Sequence, residues 1–229
     1  MLIPSVSRET SHQPARGIGG DDYDLLALQR GRWGIAIGDV SGKGIGAALI
    51  MASLQAALKF QALQPHLKLS TLIGDGDRFV YGSSPTNIFA TLFCAEYEPA
   101  KRLLHYVNAG HNPPLALRPK KGSCEIFQLP TTGIPLGISA DSQFASTTFQ
   151  FEIDDVLVAY TDGITEAENR QQEPWGQQRL EALLKSCSRK DPKEIINAIL
   201  EQVPTFASGQ ALHDDTTLLV MRVEAGCDD

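Results

Sequence analysis

Trp33-Gly34-Ile35-Ala36-Ile37-Gly38-Asp39-Val40-Ser41-Gly42-Lys43-Gly44 changes character twice within a short span. Trp33 to Ile37 reads as a strand, and that strand ends at Gly38-Asp39. From Gly44 to about Leu63 the period becomes helical. Ala47, Met51, Leu54 and Leu58 fall at i, i+4, i+7 and i+11, the spacing of one buried stripe. Upstream, Asp24 to Leu28 reads as a second strand, joined to the first around Arg30-Gly31-Arg32 as a hairpin. Gly17 to Gly20 is a tight glycine-rich turn.

Downstream, a weaker helical pattern covers Leu67 to Val80, with Gly74-Asp75-Gly76 interrupting it. Phe89 to Tyr97 and Leu103 to Ala109 read as adjacent strands across the turn Glu98-Pro99-Ala100-Lys101. Leu115 to Arg118 and Ile126 to Leu129 are further strands. Val156 to Thr161 is an apolar run of buried-strand type that ends at Asp162-Gly163. Gln177 to Cys187 and Pro192 to Val203 read as helices, with Asp191 as N-cap and Glu194 three residues on. Thr217 to Val223 is a last strand. Strands toward both ends with helices between predict two mainly antiparallel sheets with helices outside, an α+β fold. No repeat or linker divides the chain, so the expectation is a single domain over 1–229. Residues 1–11 form a lead-in strand or segment, and 224–229 a flexible acidic tail.

Composition narrows the function classes. The chain has 229 residues and a net charge of −7. An acidic balance argues against a nucleic-acid partner, which needs basic patches. The cysteines Cys94, Cys124, Cys187 and Cys227 form no C-x-x-C pair, so reduced thiols are expected instead of a zinc site or a disulfide framework. Neither a membrane-spanning run nor a secretory signal is read from the pattern. The expectation is a soluble, cytoplasmic protein.

Four acidic turns share one feature. Asp21, Asp22 and Asp24 follow a glycine turn. Asp39 and Asp162 end strands, and Asp214-Asp215 begins the last one. Each alone is ordinary turn chemistry. Converging carboxylates repel, however, and stay ionised only around a cation. Hard oxygen ligands with few histidines suit Mn2+ or Mg2+. The signatures of several other site chemistries are missing. Gly42-Lys43 is followed by glycine, not by the Ser or Thr of a P-loop. No G-x-S-x-G elbow is present. The histidines show no helical ligand pairing.

A resemblance emerges from these residues together. Gly19-Gly20-Asp21-Asp22-Tyr23-Asp24 resembles the GGDxYD motif of SpoIIE/RsbU-type serine phosphatases, within the metal-dependent protein phosphatase 2C superfamily (PPM). Gly38-Asp39-Val40-Ser41-Gly42-Lys43-Gly44, running into Ala47-Ala48-Leu49-Ile50-Met51-Ala52, is similar to that family's GDVSGKG…AALxMA segment. Asn108-Ala109-Gly110-His111-Asn112-Pro113-Pro114 resembles NAGHxPP, and Gly133-Ile134-Pro135-Leu136-Gly137 resembles GxPLG. Tyr160 to Ala167 resembles YTDGxTEA, and Asp214 to Leu218 resembles DDxTL. The motifs keep the family's order over about residues 12 to 223.

The resemblance implies a four-layer α-β-β-α sandwich, protein phosphatase 2C-like, with two ions of Mn2+ or Mg2+. It implies that Asp39 bridges the metals with help from the Val40 carbonyl, that Asp162 and Asp214 complete one metal's shell, and that Asp21 serves the other. Asp39, Asp162 and Asp214 thereby become the catalytic set. The implied activity is hydrolysis of a phosphoserine or phosphothreonine protein by a metal-activated water. The implied substrate is a phosphorylated regulator of the STAS-type anti-sigma-factor antagonist kind in bacterial partner switching, with an upstream sensor domain or activator as a further partner. Asp24 and Asp215 suit either an outer role, orienting ligands, or plain turns. Arg16 is a weak candidate for phosphate contact, and His111 suits either an acid or a structural turn. Asp22 departs from the family, which has an aromatic or apolar residue there. It leaves open whether Asp21 or Asp22 is the ligand, and it keeps a catalytically silent binding module as the alternative.

Overall fold

The computed structural model describes residues 6–15, 18–64, 68–83, 88–210 and 214–225. Arg16 and its suggested phosphate contact lie outside the described residues. The chain runs β1 (Val6–Gln13), β2 (Asp21–Ala27), β3 (Trp33–Val40), α1 (Ile45–Ala62), α2 (Leu69–Ser83), β4 (Ala90–Glu98), β5 (Leu103–Ala109), β6 (Leu115–Lys120), β7 (Ser123–Gln128), β8 (Thr147–Gln150), β9 (Val156–Tyr160), α3 (Asp162–Thr165), α4 (Gly176–Cys187), α5 (Pro192–Ala207) and β10 (Thr216–Val223). These elements form two compact units. One holds residues 16–113 and 130–150, the other residues 1–15, 114–129 and 151–229.

In the first unit the sheet order is β2-β3-β4-β5-β8, every neighbour antiparallel. The predicted hairpin is present and closes through the tight turn Gln29–Gly31. Strand period sends Val40, Leu92, Cys94 and Val107 to the face covered by α1 and α2, where they share a core with Met51, Leu54, Ile73 and Val80. The buried positions of α1 are Ala47, Met51, Leu54 and Leu58, the stripe read from the sequence.

The expected interruption at Gly74-Asp75-Gly76 does not occur, and α2 runs unbroken. Its glycine is a contact point. A Cβ on Gly76 would meet Leu54 Cδ1 at 3.3 Å and Leu58 Cδ2 at 3.5 Å, so the bare backbone lets α2 lie close on α1. Tertiary packing of that kind outweighs the glycine's cost of about 1 kcal/mol in helix propensity. Asp77, buried in the same helix, accepts a 2.8 Å hydrogen bond from the Gly137 N–H. The expectation that no run is apolar enough to span a bilayer is corrected at α1. Among the described residues it is the one helix long and apolar enough to cross a membrane, with 18 residues at mean hydropathy 1.3. In this fold its buried stripe is spent on the core of its own unit.

In the second unit the order is β1-β10-β9-β6-β7, again antiparallel throughout. All of β9 is buried, as its unbroken apolar run predicts. Leu180 and Leu184 of α4, and Ile195, Ile199 and Val203 of α5, pack over this sheet's apolar side chains. α5 starts on the predicted cap: Asp191 Oδ1 accepts from the Glu194 N–H at 2.7 Å, and Glu194 Oε2 accepts from the Asp191 N–H at 3.2 Å. The helix continues past the predicted end, through Pro204, because Ala207 prolongs the buried series Ile195, Ile199, Val203. The lead-in strand expected over residues 1–11 is β1, a largely polar edge strand that runs on to Gln13. Two short elements escaped the pattern: β8 is a four-residue edge, and α3 is a single turn where the sequence reads only a turn.

Burial also sets an alkaline limit. It pushes the Cys94 thiol from 9.0 up to about 12, with Asp24 and Glu96 adding to the effect. The Tyr97 and Tyr160 phenols rise from 10.0 to about 12, again chiefly through burial. Between pH 9 and 12 the folded chain therefore holds more protons than the unfolded chain, and stability must fall as pH rises. Denaturant midpoints measured from pH 8 to 12 should decline steadily across that window.

Candidate functional site

Register decides which acidic residues share a face. Asp21 lies directly opposite Asp39, and Tyr23 opposite Ile37, so these four share one side of β2–β3. Asp22 opposes Gly38, and Asp24 opposes Ala36, on the other side. There Asp22 and Asp24 line a groove with Met51, Leu54 and Leu58 of α1. Asp24 pairs with Lys59 Nζ at 3.0 Å, and Asp22 accepts from the Tyr23 N–H at 2.8 Å. Of Asp21 and Asp22, Asp21 is the one that is buried and shares a face with Asp39. Asp24 is a partner of α1, not of the Asp21–Asp39 pair.

Two like charges directly opposed on a sheet destabilise it unless something positive lies between them. The backbone around this pair leaves space for that. Val40 is held by its N–H donating to the Gly20 carbonyl at 3.2 Å. A Cβ on Gly20 would sit 2.7 Å from the Val40 carbonyl oxygen and 3.3 Å from Asp39 Oδ1. Glycine there keeps open the cradle formed by a carboxylate and a carbonyl, the hard oxygen donors that suit Mg2+ or Mn2+. The sequence reads Gly20 as turn chemistry only; the cradle appears once β2 and β3 are in register.

The other unit carries a second acidic end. β9 finishes and β10 begins at the same edge of their sheet, because the strands are antiparallel. Thr161 and Thr217 stitch that edge: the Thr161 N–H donates to the Thr217 carbonyl at 3.1 Å, and the Thr217 N–H to Thr161 Oγ1 at 2.9 Å. Asp162 follows Thr161 and opens α3, while Asp214 precedes the start of β10. Asp214 Oδ1 accepts from the Asp215 N–H at 3.0 Å. Asp215 is buried and accepts from the Ala15 N–H at 2.7 Å, tying β1's end to the same edge. Asp215 thereby holds the backbone of the segment after β1 in place. Among the described residues no three His, Cys, Asp or Glu side chains are grouped closely enough to hold a metal ion.

The family description Stage II sporulation protein E (SpoIIE) matches residues 29–224, which draws on both units. The chain belongs to the SpoIIE family. Phosphoserine phosphatase RsbU of Bacillus subtilis is 30% identical over 212 residues, covering 91% of this chain and 61% of RsbU. Protein IcfG of Synechocystis is 29% identical, covering 91% of this chain and 36% of IcfG. The chain thus spans less than two thirds of the length of these curated relatives. Among solved structures, the RsbU and RsbW domains of a Mycobacterium tuberculosis protein superpose with a TM-score of 0.80 at 26% identity, covering 98% of this chain and 63% of that one. The protein phosphatase 2C domain of SpoIIE from Bacillus subtilis gives 0.78 at 21% identity, covering 95% and 63%. RsbX, solved in complex with magnesium, gives 0.71 at 15% identity, covering 96% of each chain. Two antiparallel sheets with flanking helices are therefore the protein phosphatase 2C-like fold.

Proposed function

We propose that this chain is a metal-dependent protein phosphatase that hydrolyses phosphoserine or phosphothreonine on a protein. The observation that carries the proposal is the Asp21–Asp39 pair, opposed on one face beside the Gly20 cradle at the Val40 carbonyl. Asp21, Asp39 and the Val40 carbonyl, and likewise Asp162 and Asp214, would hold divalent cations, two ions of Mn2+ or Mg2+ in all. Bound there, such ions supply an activated water and neutralise charge on the phosphoryl oxygens. The chain's own part is to fix the carboxylates. The β2–β3 ladder sets Asp21 against Asp39, and the Thr161–Thr217 stitch holds the segments that carry Asp162 and Asp214. Both units belong to one phosphatase domain in this reading.

The substrate we favour is a phosphorylated regulator of the anti-sigma-factor antagonist type, acting in the cytoplasm in a partner-switching system. Its support is the family, and within it the phosphoserine phosphatases RsbU and RsbP. The silent-module alternative drew its force from Asp22 as an extra charge at the metals. Against it stands the position of Asp22, which lies on the α1 face and not beside Asp39. Phosphate release from a phosphoserine peptide and from an aryl phosphate, with manganese present, tests the reading. A folded protein inert toward both would favour the silent module.

The cradle makes its own prediction. Gly20→Ala should weaken manganese binding by about 10-fold or more, because overpacking of a fixed backbone costs roughly 1–3 kcal/mol. Calorimetric titration of manganese into both forms reads this directly. Equal affinities would remove the Val40 carbonyl from the ligand set.

A further inference from the structure

The row that begins with Asp21 and Asp39 extends to a third strand. Asp39 lies directly opposite Thr91 of β4, so Asp21, Asp39 and Thr91 stand side by side on one sheet face. Opposed residues of antiparallel strands have Cβ atoms roughly 5 Å apart. Thr91, with its hydroxyl, is thus the β4 neighbour of Asp39 in this row. That hydroxyl lies 2.9 Å from His111 Nδ1.

His111 is 2% exposed, although it sits in a loop beyond β5. Several contacts hold it there. Its N–H donates to Asn108 Oδ1 at 2.8 Å. The Asn108 carbonyl accepts from the Thr132 N–H at 2.8 Å, and the Asn108 N–H donates to Thr132 Oγ1 at 3.0 Å. Gly110 turns the chain with φ 67°, and a Cβ there would collide with the Pro135 ring. A histidine packed into a core is the plain reading of a buried imidazole. It does not account for the ring's partner being the one hydroxyl that stands opposite Asp39.

We propose that His111 is a positioning residue for the phosphatase reaction, acting through Thr91. An Nδ1–H that donates to Thr91 Oγ1 leaves the hydroxyl proton to point at the Asp39 carboxylate. The chain His111–Thr91–Asp39 then fixes that carboxylate in the orientation its ligand role needs, as outer hydrogen bonds do for metal-binding side chains. The inference rests on the phosphatase reading above.

Thr91→Val tests it, because valine keeps the shape and removes the hydroxyl. The measurements are the manganese dissociation constant by calorimetry, and kcat and KM on a phosphoserine peptide. Thr91→Val should weaken manganese binding and lower kcat by roughly 10-fold each, with KM for the peptide unchanged. Thr91→Ser should restore most of the loss. His111→Leu should match Thr91→Val, His111→Asn should recover part of it by keeping a donor at the Nδ1 position, and the double variant Thr91→Val/His111→Leu should be no worse than either single change. Thr91→Val within twofold of wild type in both manganese affinity and kcat overturns the proposal, as does a double variant in which the losses multiply. Wild type and Asp39→Asn are run alongside. Turnover that is absent from wild type sinks the phosphatase reading and this inference with it. Turnover present in wild type and lost in Asp39→Asn upholds that reading, whatever the Thr91 variants do.

Discussion

Asp39→Asn should lower manganese-supported release of phosphate from a phosphoserine peptide by more than about 100-fold. Changes to groups that merely orient metal ligands typically cost 10–100-fold, and loss of a carboxylate proposed to hold the ions themselves should exceed that. The substitution is close to isosteric, so the fold should survive. Its effect on stability has a sign that separates the readings. Without metal, Asp39 stands opposite Asp21, and directly opposed like charges destabilise a sheet by roughly 0.2–1 kcal/mol. Removing one charge should therefore raise the melting temperature of the chelated protein while abolishing turnover. A carboxylate kept for structural reasons would give the reverse pattern, a lower melting temperature with activity retained.

Gly163→Ala should destabilise the chain by about 3 kcal/mol, near the upper end of what overpacking costs. A Cβ on Gly163 would overlap the Asp215 carbonyl oxygen and lie 3.2 Å from Thr216 Cγ2. The obstacle is backbone and cannot rotate away. It is also pinned, by the Ala15 N–H on Asp215 Oδ1 and by the paired bonds between Thr161 and Thr217. In a chain of this size such a loss corresponds to a fall of roughly 10 °C in melting temperature. Because Asp162 adjoins Gly163 and Asp214 adjoins Asp215, the same strain should weaken manganese binding. Scanning calorimetry with and without manganese reads both effects. A variant as stable as wild type would mean that α3 is free to move off the start of β10.

Local pattern carried much of this fold into view. The apolar runs of β3 and β9, the four-residue stripe on α1 and the Asp191–Glu194 cap are properties of neighbouring residues, and each stands where its spacing places it. What escaped depends on contacts between distant segments. α2 stays whole because Gly76 lets it approach Leu54 and Leu58, which no window of sequence contains. β8 is a four-residue polar edge that gains its structure from its partner β5.

The acidic residues divide in the same way. Asp21, Asp39, Asp162 and Asp214 stand out as candidates through glycine-flanked aspartates in a family's order. Which of Asp21 and Asp22 faces Asp39 is a matter of register, where one residue's shift exchanges the two faces of a strand. The Gly20 cradle and the Thr91–His111 contact likewise need the ladder before they exist. A threonine and a histidine twenty positions apart give no signal of their own.

The most direct test strips the wild-type protein of metal with a strong chelator and follows phosphate release from a phosphoserine peptide as manganese is titrated back. The account predicts no release from the stripped protein and recovery with added manganese. Release that persists after exhaustive chelation would contradict it.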